Sequence, residues 1–485
     1  MSEPSSILSA LDAKGVKVRH LVSDSRRVRP GDVFVAVPGA RLDGRDFITQ
    51  AMNRGAAAVI AETGIKVDAG TTALIEVEGL AARLGELAHE VYGRPSEDLW
   101  LAGITGTNGK TSVSQWIAQA SALLGQKCAV IGTLGNGFPD DLEDSPNTTP
   151  DPITLHRELS EFRAAGAMGC AMEVSSIGLD QERVSGAKFD VAVFTNLTRD
   201  HLEYHGSMDA YGAAKERLFH WADLKAAVIN LDDPFGVRLS KRLASGVCSI
   251  GYSLNSASGD SGAREVLRAA NFASTPSGIA FDLRDIRIEA PVVGRFNAAN
   301  LLAVIGALLV RGERLEDIAR VLRQLTPPPG RMQVVGGQNE PLLVIDYAHT
   351  PDALEKALGV LRETAAARGG ELICVFGCGG DRDPGKRAPM GAVAETLADH
   401  TLVTSDNPRS EDPQAIIEAI LQGMNQASVE PDRAKAIVSA VRQAGQRDVI
   451  LVAGKGHEPY QDIAGVKYPF SDIEAAKSAL AGRRA

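Results

Sequence analysis

One segment of the sequence has the composition of a phosphate-binding loop. The apolar run Leu99–Ile104 leads into the loop Thr105–Thr111 (TGTNGKT), and a helical pattern follows over Ser112–Leu124. In such an arrangement backbone N–H groups face an anion, the lysine reaches the β- and γ-phosphates, and the final hydroxyl binds Mg²⁺. The strict pattern requires glycine at position 104, where this chain has isoleucine. The segment predicts a nucleotide site in a kinase, switch protein or ligase; an ordinary strand–turn–helix is the alternative.

Acidic and imidazole side chains follow three other apolar runs. They are Glu173, Asp200 with His201, and Asp346 with His349. Carboxylates suit Mg²⁺, a hard cation that takes oxygen ligands from one or two protein groups, phosphate and water. Simpler interpretations exist: Glu173 as a solvated strand end, and Asp200 or Thr198 as a helix N-cap with His201 in the first turn. Arg331 is placed to bring positive charge to the nucleotide.

Short apolar runs alternate with longer amphipathic segments through most of the chain. This alternation is typical of an α/β protein with mainly parallel sheets. Nearly every run leads directly into a polar or glycine-rich motif, and ligands of open parallel sheets bind beyond the carboxyl ends of the strands. The motifs are therefore expected to share clefts. The predicted strands are Val33–Val37, Leu99–Ile104, Ala129–Ile131, Gly169–Val174, Val191–Phe194, Ala226–Ile229, Leu342–Ile345, Leu372–Phe376, Thr401–Val403 and Val449–Val452.

Chain length and two linker-like segments predict the domain organisation. A chain of 485 residues exceeds what one hydrophobic core supports, so two or three domains are expected. Gly93–Ser96 has the composition of a linker, and so does Thr326–Gly330, because three consecutive prolines continue neither a helix nor a central strand. The predicted domains are 1–94, 95–328 and 329–485.

Composition and charge exclude several classes of protein. The chain is 44% hydrophobic and 23% charged, as in globular proteins, and its formal charge of −10 argues against a nucleic-acid partner. Its five cysteines form no C-x-x-C pair, which favours buried reduced thiols over disulfides or zinc. The N-terminus lacks a signal-peptide pattern, and the longest apolar run, Leu301–Val310, is too short to span a bilayer. A cytoplasmic protein without membrane insertion is expected.

Five motifs in a fixed order carry a family resemblance. They are Gly106–Thr111, Glu173–Ser176, Thr195–His201, Asp346–Pro351 and Gly454–Glu458. With them, the chain resembles the Mur ligase family over nearly its whole length. The resemblance implies an N-terminal UDP-binding α/β domain, a central P-loop ATPase-type domain with a parallel sheet, and a C-terminal Rossmann-like domain that brings the amino acid. It also implies an ATP- and Mg²⁺-dependent, amide-forming ligase of peptidoglycan precursor synthesis.

The family's site residues are carried over where the motifs match. Those implied to contact the UDP-linked muramoyl dipeptide are Ser25, the loop Ala40–Leu42, Asn147, Thr148, Thr149, Ser175, Gln181 and Arg183. Those implied to bind ATP are Gly106, Thr107, Asn108, Gly109, Lys110, Thr111, Asn300, Arg331, Asp346 and His349. Those implied to hold Mg²⁺ are Thr111, Glu173, His201 and Lys215, and Lys110, Lys215 and His201 are the implied catalytic residues.

Lys215 matches the family lysine that is carbamylated. Addition of CO₂ to the neutral amine converts a cation into an anion that can share Mg²⁺; by sequence alone this would be an exposed helical lysine. The chain also departs from the family pattern at Ile177, where many members have histidine, so any polar role of that position is absent or filled elsewhere.

A further match concerns the amino acid that is added. Asp406-Asn407-Pro408-Arg409 resembles the signature of the diaminopimelate-adding members, and Arg382, Gly454 and Glu458 are implied to complete the pocket. Diaminopimelate is lysine with a second carboxylate at its far end, and a guanidinium binds a carboxylate through two parallel hydrogen bonds. The alternative is a surface turn that happens to contain an arginine.

Three rival functions remain open at this stage. A lysine-adding member would usually lack Arg409, because its guanidinium would repel the side-chain ammonium of lysine. A folylpolyglutamate synthetase would lack the 406–409 segment and the long first domain. A nucleotide-dependent switch would hydrolyse ATP slowly without an amino acid. The expected partners are the small-molecule substrates ATP, UDP-MurNAc-L-Ala-D-Glu and meso-diaminopimelate, with no nucleic acid, and the protein is expected to be a monomer.

Overall fold

Three separate β-sheets organise the chain, and a small hairpin follows the third. The structure, a computed structural model, describes residues 4–484 except 40–41, 66, 68–69, 71, 256–261, 276–277 and 338. Side chains alternate between the two faces of each sheet, so each face packs its own layer of helices. The fold class predicted from the alternation of runs is confirmed.

The N-terminal domain has a four-stranded parallel sheet in the order β1-β2-β3-β4. One face packs against α1 and α3, and the other against α2. The elements are α1 (Pro4–Asp12), β1 (Leu21–Val22), β2 (Val33–Ala36), α2 (Ile48–Asn53), β3 (Ala58–Glu62), β4 (Ala73–Val77) and α3 (Leu80–Val91), with 3₁₀ turns at Ser25–Arg27 and Gly44–Phe47.

The middle domain is built on an eleven-stranded sheet. Its helices are α4 (Pro95–Asp98), α5 (Lys110–Leu123), α6 (Pro152–Ala164), α7 (Ser176–Asp180), α8 (Leu202–His205), α9 (Met208–Glu216), α10 (Pro234–Ser240), α11 (Arg295–Arg311) and α12 (Leu315–Leu322), with a 3₁₀ turn at Arg217–His220. Its strands are β5 (Trp100–Thr105), β6 (Cys128–Gly132), β7 (Gly135–Phe138), β8 (Asp141–Glu143), β9 (Gly169–Glu173), β10 (Val191–Phe194), β11 (Ala226–Asn230), β12 (Cys248–Ser253), β13 (Glu265–Thr275), β14 (Gly278–Leu283) and β15 (Ile286–Ala290).

The strand order of this sheet places the predicted motifs together. The order is β15-β14-β13-β12-β11-β10-β5-β9-β6-β7-β8, and the strands from β13 to β6 are parallel. The phosphate loop follows β5, which lies between β9, ending in Glu173, and β10, which precedes Asp200 and His201. The motifs therefore meet at one sheet edge. The antiparallel strands at both ends of the sheet were not predicted.

The C-terminal domain repeats the arrangement with a six-stranded sheet. Its order is β16-β17-β21-β18-β19-β20, parallel except for β16. The strands are β16 (Gln333–Gly336), β17 (Leu342–Asp346), β18 (Leu372–Phe376), β19 (His400–Val403), β20 (Ser428–Val429), β21 (Val449–Ala453) and the hairpin β22 (Tyr460–Ile463) and β23 (Val466–Pro469). The helices are α13 (Pro351–Arg368), α14 (Arg387–Leu397), α15 (Pro413–Leu421), α16 (Arg433–Gln443) and α17 (Asp472–Arg484), with a 3₁₀ turn at Pro384–Lys386.

Some predicted boundaries differ from the structure. The helix after the phosphate loop begins at Lys110, two residues before its predicted start, because Gly109 in a left-handed conformation provides the cap. Gly93–Ser96 is not a simple linker, since Pro95 starts the short helix α4. His201 is not in the first turn of a helix but caps α8 with a left-handed backbone (φ 52°). The proline segment, in contrast, contains neither helix nor strand.

The described part of the chain also bears on the composition-based predictions. All five cysteines are free and four are buried, as expected for reduced thiols. None of the helices in the described ranges combines the length and the hydrophobicity that crossing a bilayer requires.

Glu158 on α6 gives a prediction for stability. Burial raises the pKa of its carboxyl from 4.5 to about 7, while Asn136 Nδ2 donates to Oε2 at 2.9 Å. As pH rises from 4.5 to 7, only the unfolded chain ionises this group, so stability is lost across that window. Glu158→Gln, which keeps the acceptor, should stabilise the protein by roughly 1–3 kcal/mol at pH 8 and by little at pH 4.5. Thermal unfolding of the parent and the variant at both pH values measures this change in stability, with the exposed Glu161→Gln as the control. Equal stabilisation by Glu158→Gln at both pH values would contradict the prediction.

Candidate active site

The phosphate loop is held by glycine geometry and by neighbouring side chains. Gly106 and Gly109 have φ of 147° and 88°, in the region that favours glycine. A Cβ on Gly106 would collide with Thr195 Oγ1, and one on Gly109 with Asn300 Oδ1. Both glycines are therefore required by backbone conformation and by close packing. This places Asn300, predicted to bind ATP, directly over the loop.

The segment after β10 braces the loop through hydrogen bonds. Asn196 Oδ1 accepts from the Asn108 N–H at 2.9 Å, and Asn196 O accepts from the Thr107 N–H at 2.8 Å. Thr195 Oγ1 donates to Asn108 O at 2.6 Å. Sequence reasoning assigned no function to Thr195 and Asn196, although both belong to the motif 195–201. Their function here is to fix the loop conformation.

Lys110 and Lys215 converge on one carbonyl oxygen. Lys110 Nζ donates to Gly106 O and Thr107 O, both at 2.9 Å, and Lys215 Nζ donates to Gly106 O at 3.0 Å. Lys215 is 1% exposed and lies 4.2 Å from the centre of the Tyr211 ring, so it is not the exposed helical lysine of the alternative reading. Burial and the neighbouring Lys110 ammonium lower the pKa of Lys215 well below its usual value. Its neutral amine is thereby favoured.

Asp200, His201 and His349 lie together where the middle and C-terminal domains meet. Asp200 Oδ2 is 3.5 Å from His201 Nε2 and 3.8 Å from His349 Nε2. Burial opposes ionisation of Asp200, but the two imidazoles lower its pKa well below the usual range. Burial also lowers the pKa of His201, which favours the neutral imidazole that can bind a metal.

Glu173 is buried at the end of β9 and is held by Thr133. The Thr133 N–H and Oγ1 donate to its two carboxylate oxygens at 2.9 and 3.2 Å. Thr133 Oγ1 also lies 3.1 Å from Thr148 Oγ1. Glu173 is therefore not a solvated strand end. Thr133 was not predicted; its only signal is its position directly after β6.

The predicted metal ligands Glu173 and His201 lie close enough to Lys110 to interact with its charge. Glu173 and Asp200 act electrostatically on Lys110, and His201 lies within the influence of Lys110 and Lys215. Among the described residues, no three His, Cys, Asp or Glu side chains are grouped closely enough to hold a metal ion. This donor set fits Mg²⁺, whose sites are completed by phosphate and water, and the Thr111 hydroxyl is also present, accepting from Arg331 at 3.1 Å.

Five of the residues predicted for the muramoyl dipeptide form one network beside Glu173. Thr149 Oγ1 donates to Glu173 O at 2.9 Å and lies 3.1 Å from Ser175 Oγ. Arg183 donates to Thr149 O at 2.9 Å and to Gln181 Oε1 at 2.7 Å. Thr148 Oγ1 lies 3.1 Å from Thr133 Oγ1, which donates to the Glu173 carboxylate at 3.2 Å.

The remaining residues predicted for this substrate are not joined to that network. Ser25 lies in the N-terminal domain and donates to Gln50 Oε1 at 2.6 Å. Asn147 and Leu42 are exposed, and Ala40 and Arg41 lie outside the described residues. Ile177 is half-buried in α7, and the adjacent Ser176 contacts His205 Nε2 at 3.0 Å.

A cleft of about 710 Å³ lies between the loop and the C-terminal domain. Arg331 lies over the Tyr347 ring, 4.5 Å from its centre, and Asp346 Oδ2 accepts from the Met332 N–H at 2.7 Å. Asn108 Nδ2 donates across the cleft to Asp352 at 3.0 Å, and Arg199 is 3.2 Å from Asp383. The cleft is lined by Asn108, Gly109, Asn300, Arg331 and Asp346, which are five of the predicted ATP residues.

The residues predicted for the amino acid form a second group in the C-terminal domain, here called the Arg409 pocket (Asp406, Asn407, Arg409, Gly454, Glu458). Asn407 Nδ2 donates to Glu458 Oε2 at 2.7 Å, and Asp406 packs against Gly454 (φ 116°). Arg409 has a left-handed backbone (φ 53°) and donates to Gly380 O at 2.8 Å.

Two further residues predicted for this pocket lie at its edge. The Pro408 carbonyl packs against Gly380. Arg382 is exposed, and both it and Arg409 act electrostatically on Asp381.

The comparisons with known proteins agree with this geometry. Three family models match: "Mur ligase family, catalytic domain" at 17–92, "Mur ligase middle domain" at 104–308, and "Mur ligase, glutamate ligase domain" at 330–456. The UDP-N-acetylmuramoyl-L-alanyl-D-glutamate–2,6-diaminopimelate ligase of Chromobacterium violaceum is 54% identical, covering 97% of this chain and 96% of its own. The chain belongs to the Mur ligase family. The enzyme of the same name from Pseudomonas aeruginosa is 53% identical over 96% and 95% of the two chains.

Solved structures show the same fold as this Mur ligase. A structure of a UDP-N-acetylmuramoyl-L-alanyl-D-glutamate–2,6-diaminopimelate ligase has a TM-score of 0.69 and 36% identity, covering 96% of each chain. The MurF ligase from Thermotoga maritima in complex with ADP has a TM-score of 0.66 at 20% identity, covering 96% and 99%, and shares the fold alone. The family resemblance and the three-domain α/β fold are thereby confirmed.

In this Mur ligase, the Arg409 pocket is supported by two buried cations that sequence reasoning missed. Arg433 forms a fully buried ion pair with Asp472 at 2.7 Å and donates to Ala453 O at 2.9 Å and Ser405 O at 3.3 Å. It thus ties together the ends of β21 and β19. Lys455 contacts both Asn407 and Glu458. Lys455 lies within the motif Gly454–Glu458 but was assigned no function, and no motif marks Arg433.

Proposed function

We propose that this chain adds meso-diaminopimelate to UDP-N-acetylmuramoyl-L-alanyl-D-glutamate with ATP, in peptidoglycan precursor synthesis. The observation that carries the proposal is that the Arg409 guanidinium and the carboxylates of Asp406 and Glu458 all act electrostatically on the Tyr347 hydroxyl, and so face one region. An arginine suits a distal carboxylate, and carboxylates suit an ammonium. Diaminopimelate has both groups at its far end, whereas lysine has only the ammonium. The names of the relatives that are about 50% identical support the same substrate.

The chemistry must activate a carboxylate, whose oxygen is a poor leaving group. The γ-phosphoryl group of ATP passes to the glutamyl carboxylate and gives an acyl phosphate and ADP. The neutral amine of diaminopimelate attacks this carbonyl, and the tetrahedral intermediate collapses to amide and phosphate. Lys110 offsets phosphate charge, while the loop N–H groups orient the nucleotide. Bound Mg²⁺, for which Thr111, Glu173, His201 and Lys215 are the proposed ligands, supplies further charge neutralisation.

Closure of the domains protects the reactive intermediate. Arg331 and Asp352 bring the C-terminal domain onto the phosphate loop. This position excludes water from the acyl phosphate and brings the Arg409 pocket toward it. All three substrate sites are proposed on a single chain, so the enzyme is proposed to act as a monomer, in the cytoplasm, with domains at 1–94, 95–328 and 329–485.

Lys215 is proposed to be carbamylated. Its buried amine has a lowered pKa and shares Gly106 O with Lys110. Addition of CO₂ to the neutral amine, with loss of one proton, places a carbamate anion beside the Lys110 ammonium, which attracts it. A carbamate oxygen also provides the hard ligand that Mg²⁺ prefers.

Lys215→Ala should lower turnover by at least ~10²-fold, by analogy with the loss of one preorganised charge. Short carboxylates such as acetate should partly restore activity, since they place an anion in the vacated space. The measurement is phosphate release with and without added carboxylate. The exposed Lys225→Ala is the matched control and should remain active without rescue. A Lys215→Ala enzyme as active as its parent would refute carbamylation.

The test of the proposed function is phosphate release from Mg-ATP with UDP-MurNAc-L-Ala-D-Glu present. Release should depend on meso-diaminopimelate and be weak with L-lysine. Phosphate release with lysine alone would support ligase activity but contradict the proposed specificity for diaminopimelate. Release independent of either amino acid would favour a nucleotide-dependent switch, and dependence on a folate with glutamate would favour a folylpolyglutamate synthetase.

A further inference from the structure

The Lys455 ammonium is fully buried behind the Arg409 pocket and has no part in the mechanism above. Its side chain is 0% exposed, and its Nζ donates to Asn407 Oδ1 at 3.0 Å and to Glu458 Oε2 at 3.1 Å. Asn407 Nδ2 donates to the same Glu458 oxygen at 2.7 Å. Lys455, Asn407 and Glu458 thus form a closed triangle of hydrogen bonds. Burying a cation is costly unless it is paired, so a buried lysine at this position indicates that it has a function there.

The triangle fixes which way the Asn407 amide points. Two donors, the Lys455 ammonium and the Asp462 N–H, are directed at one amide atom at 3.0 and 2.9 Å. Only the amide oxygen accepts hydrogen bonds, so the nitrogen must face Glu458. Without the lysine, one of the two donors that set this orientation is lost.

The same triangle gives the two carboxylate oxygens of Glu458 different surroundings. Oε2 accepts from both Lys455 and Asn407. Oε1 accepts no hydrogen bond from the residues that the structure describes, and the side chain remains 16% exposed. One carboxylate oxygen is therefore occupied by the protein, and the other is left for a ligand. The carboxylate cannot rotate without breaking two hydrogen bonds.

We propose that Lys455 is a positioning residue for the amino-acid substrate, which holds Glu458 so that Oε1 alone receives a substrate ammonium. The inference rests on the proposed function. Lys455 acts through Glu458 and touches no substrate. Loss of Lys455 lets the Glu458 carboxylate rotate and the Asn407 amide flip. Either change misplaces the amino acid relative to the acyl phosphate. The phosphoryl-transfer step takes place in the middle domain and does not use this triangle.

The first experiment compares Lys455→Met with its parent in the phosphate-release assay. The KM for diaminopimelate should rise roughly 10- to 100-fold, the effect of misplacing a bound group by about 1 Å. The KM values for ATP and the UDP-dipeptide should stay within about twofold of the parent, since their sites are unchanged. Acyl phosphate trapped by borohydride without amino acid should form at the parental level. Loss of that intermediate, or equal changes in all three KM values, would make the role of Lys455 merely structural.

Lys467→Met is the matched control. Lys467 is exposed and lies 4.0 Å from the centre of the Tyr460 ring, the ring that Lys455 approaches to 5.7 Å. It contacts neither Asn407 nor Glu458, so its substitution should leave the KM for diaminopimelate unchanged. A similar rise in both variants would overturn the proposal. Absence of diaminopimelate-dependent phosphate release in the parent enzyme would instead refute the proposed function, and this inference with it.

A double variant keeps the inference testable if Lys455→Met fails to fold. Lys455→Met with Glu458→Gln removes both charges and leaves no buried charge unpaired. If Lys455 acts through Glu458, the double variant should have the same KM for diaminopimelate as Glu458→Gln alone, because the two effects are not additive. A further rise of about tenfold or more over Glu458→Gln would show an action independent of Glu458 and overturn the proposal.

Discussion

Lys110→Ala is expected to reduce ligation by at least ~10²–10³-fold, close to the limit of detection. Lys110 is held at the phosphate loop by Gly106 O and Thr107 O, and it is proposed to bind the β- and γ-phosphates from there. Without it, charge that develops during phosphoryl transfer is not offset. The measurement is phosphate release with all three substrates present.

The control for this variant is Lys225→Ala. Lys225 is a lysine of the same domain whose side chain is 75% exposed and, among the described residues, pairs with Asp190. Thermal unfolding of both variants separates loss of activity from loss of structure. A folded Lys110→Ala enzyme within a few-fold of the parent would exclude Lys110 from the mechanism and would weaken the assignment of the loop.

Arg409→Ala is expected to lower kcat/KM for diaminopimelate by about 2–5 kcal/mol, the range seen when one partner of a buried charge pair is truncated. This corresponds to roughly 30- to several-thousand-fold. The physical reason is that the distal carboxylate would then lie unpaired beside Asp406 and Glu458. Activity with L-lysine, which has no such carboxylate, should change far less.

Two variants sharpen this test. Arg409→Lys retains the charge but not the planar pair of donors, so its activity should fall between the parent and Arg409→Ala. The exposed Arg320→Ala, which removes only a contact to Asp317, should behave as the parent. An unchanged kcat/KM for diaminopimelate in Arg409→Ala would show that Arg409 does not bind the substrate.

The residues found by sequence are those that follow strands. Glu173 and Asp346 end parallel strands of the sheets, and Lys110 follows another by a short loop. Because the carboxyl ends of parallel strands meet at one edge, spacing along the chain was enough to predict that these residues lie near a ligand. The resemblance supplied the rest of the site, including Lys215, whose burial no local pattern reveals.

The supporting residues could not be predicted, because their partners are chosen by tertiary packing. Thr133 holds Glu173 across 40 positions of sequence, and Asn108 bonds to Asp352 across 244. No periodicity or motif connects such pairs. Strands β13 and β15 were missed for a related reason, since their mixed burial does not produce a continuous apolar run. The ligands assigned to all of the site residues, and the carbamate on Lys215, remain predictions.

The hydrogen bonds that join the phosphate loop to the C-terminal domain have a kinetic consequence. Asn108 and Thr111 bond to Asp352 and Arg331 across the cleft. Because these loop residues are also the proposed nucleotide ligands, separating the domains withdraws Arg331 from the nucleotide in the same movement. We therefore expect reopening and the departure of ADP to occur together, with a barrier that includes the rupture of these contacts. Changes at Asp352 should then alter the residence time of the spent nucleotide rather than bond formation.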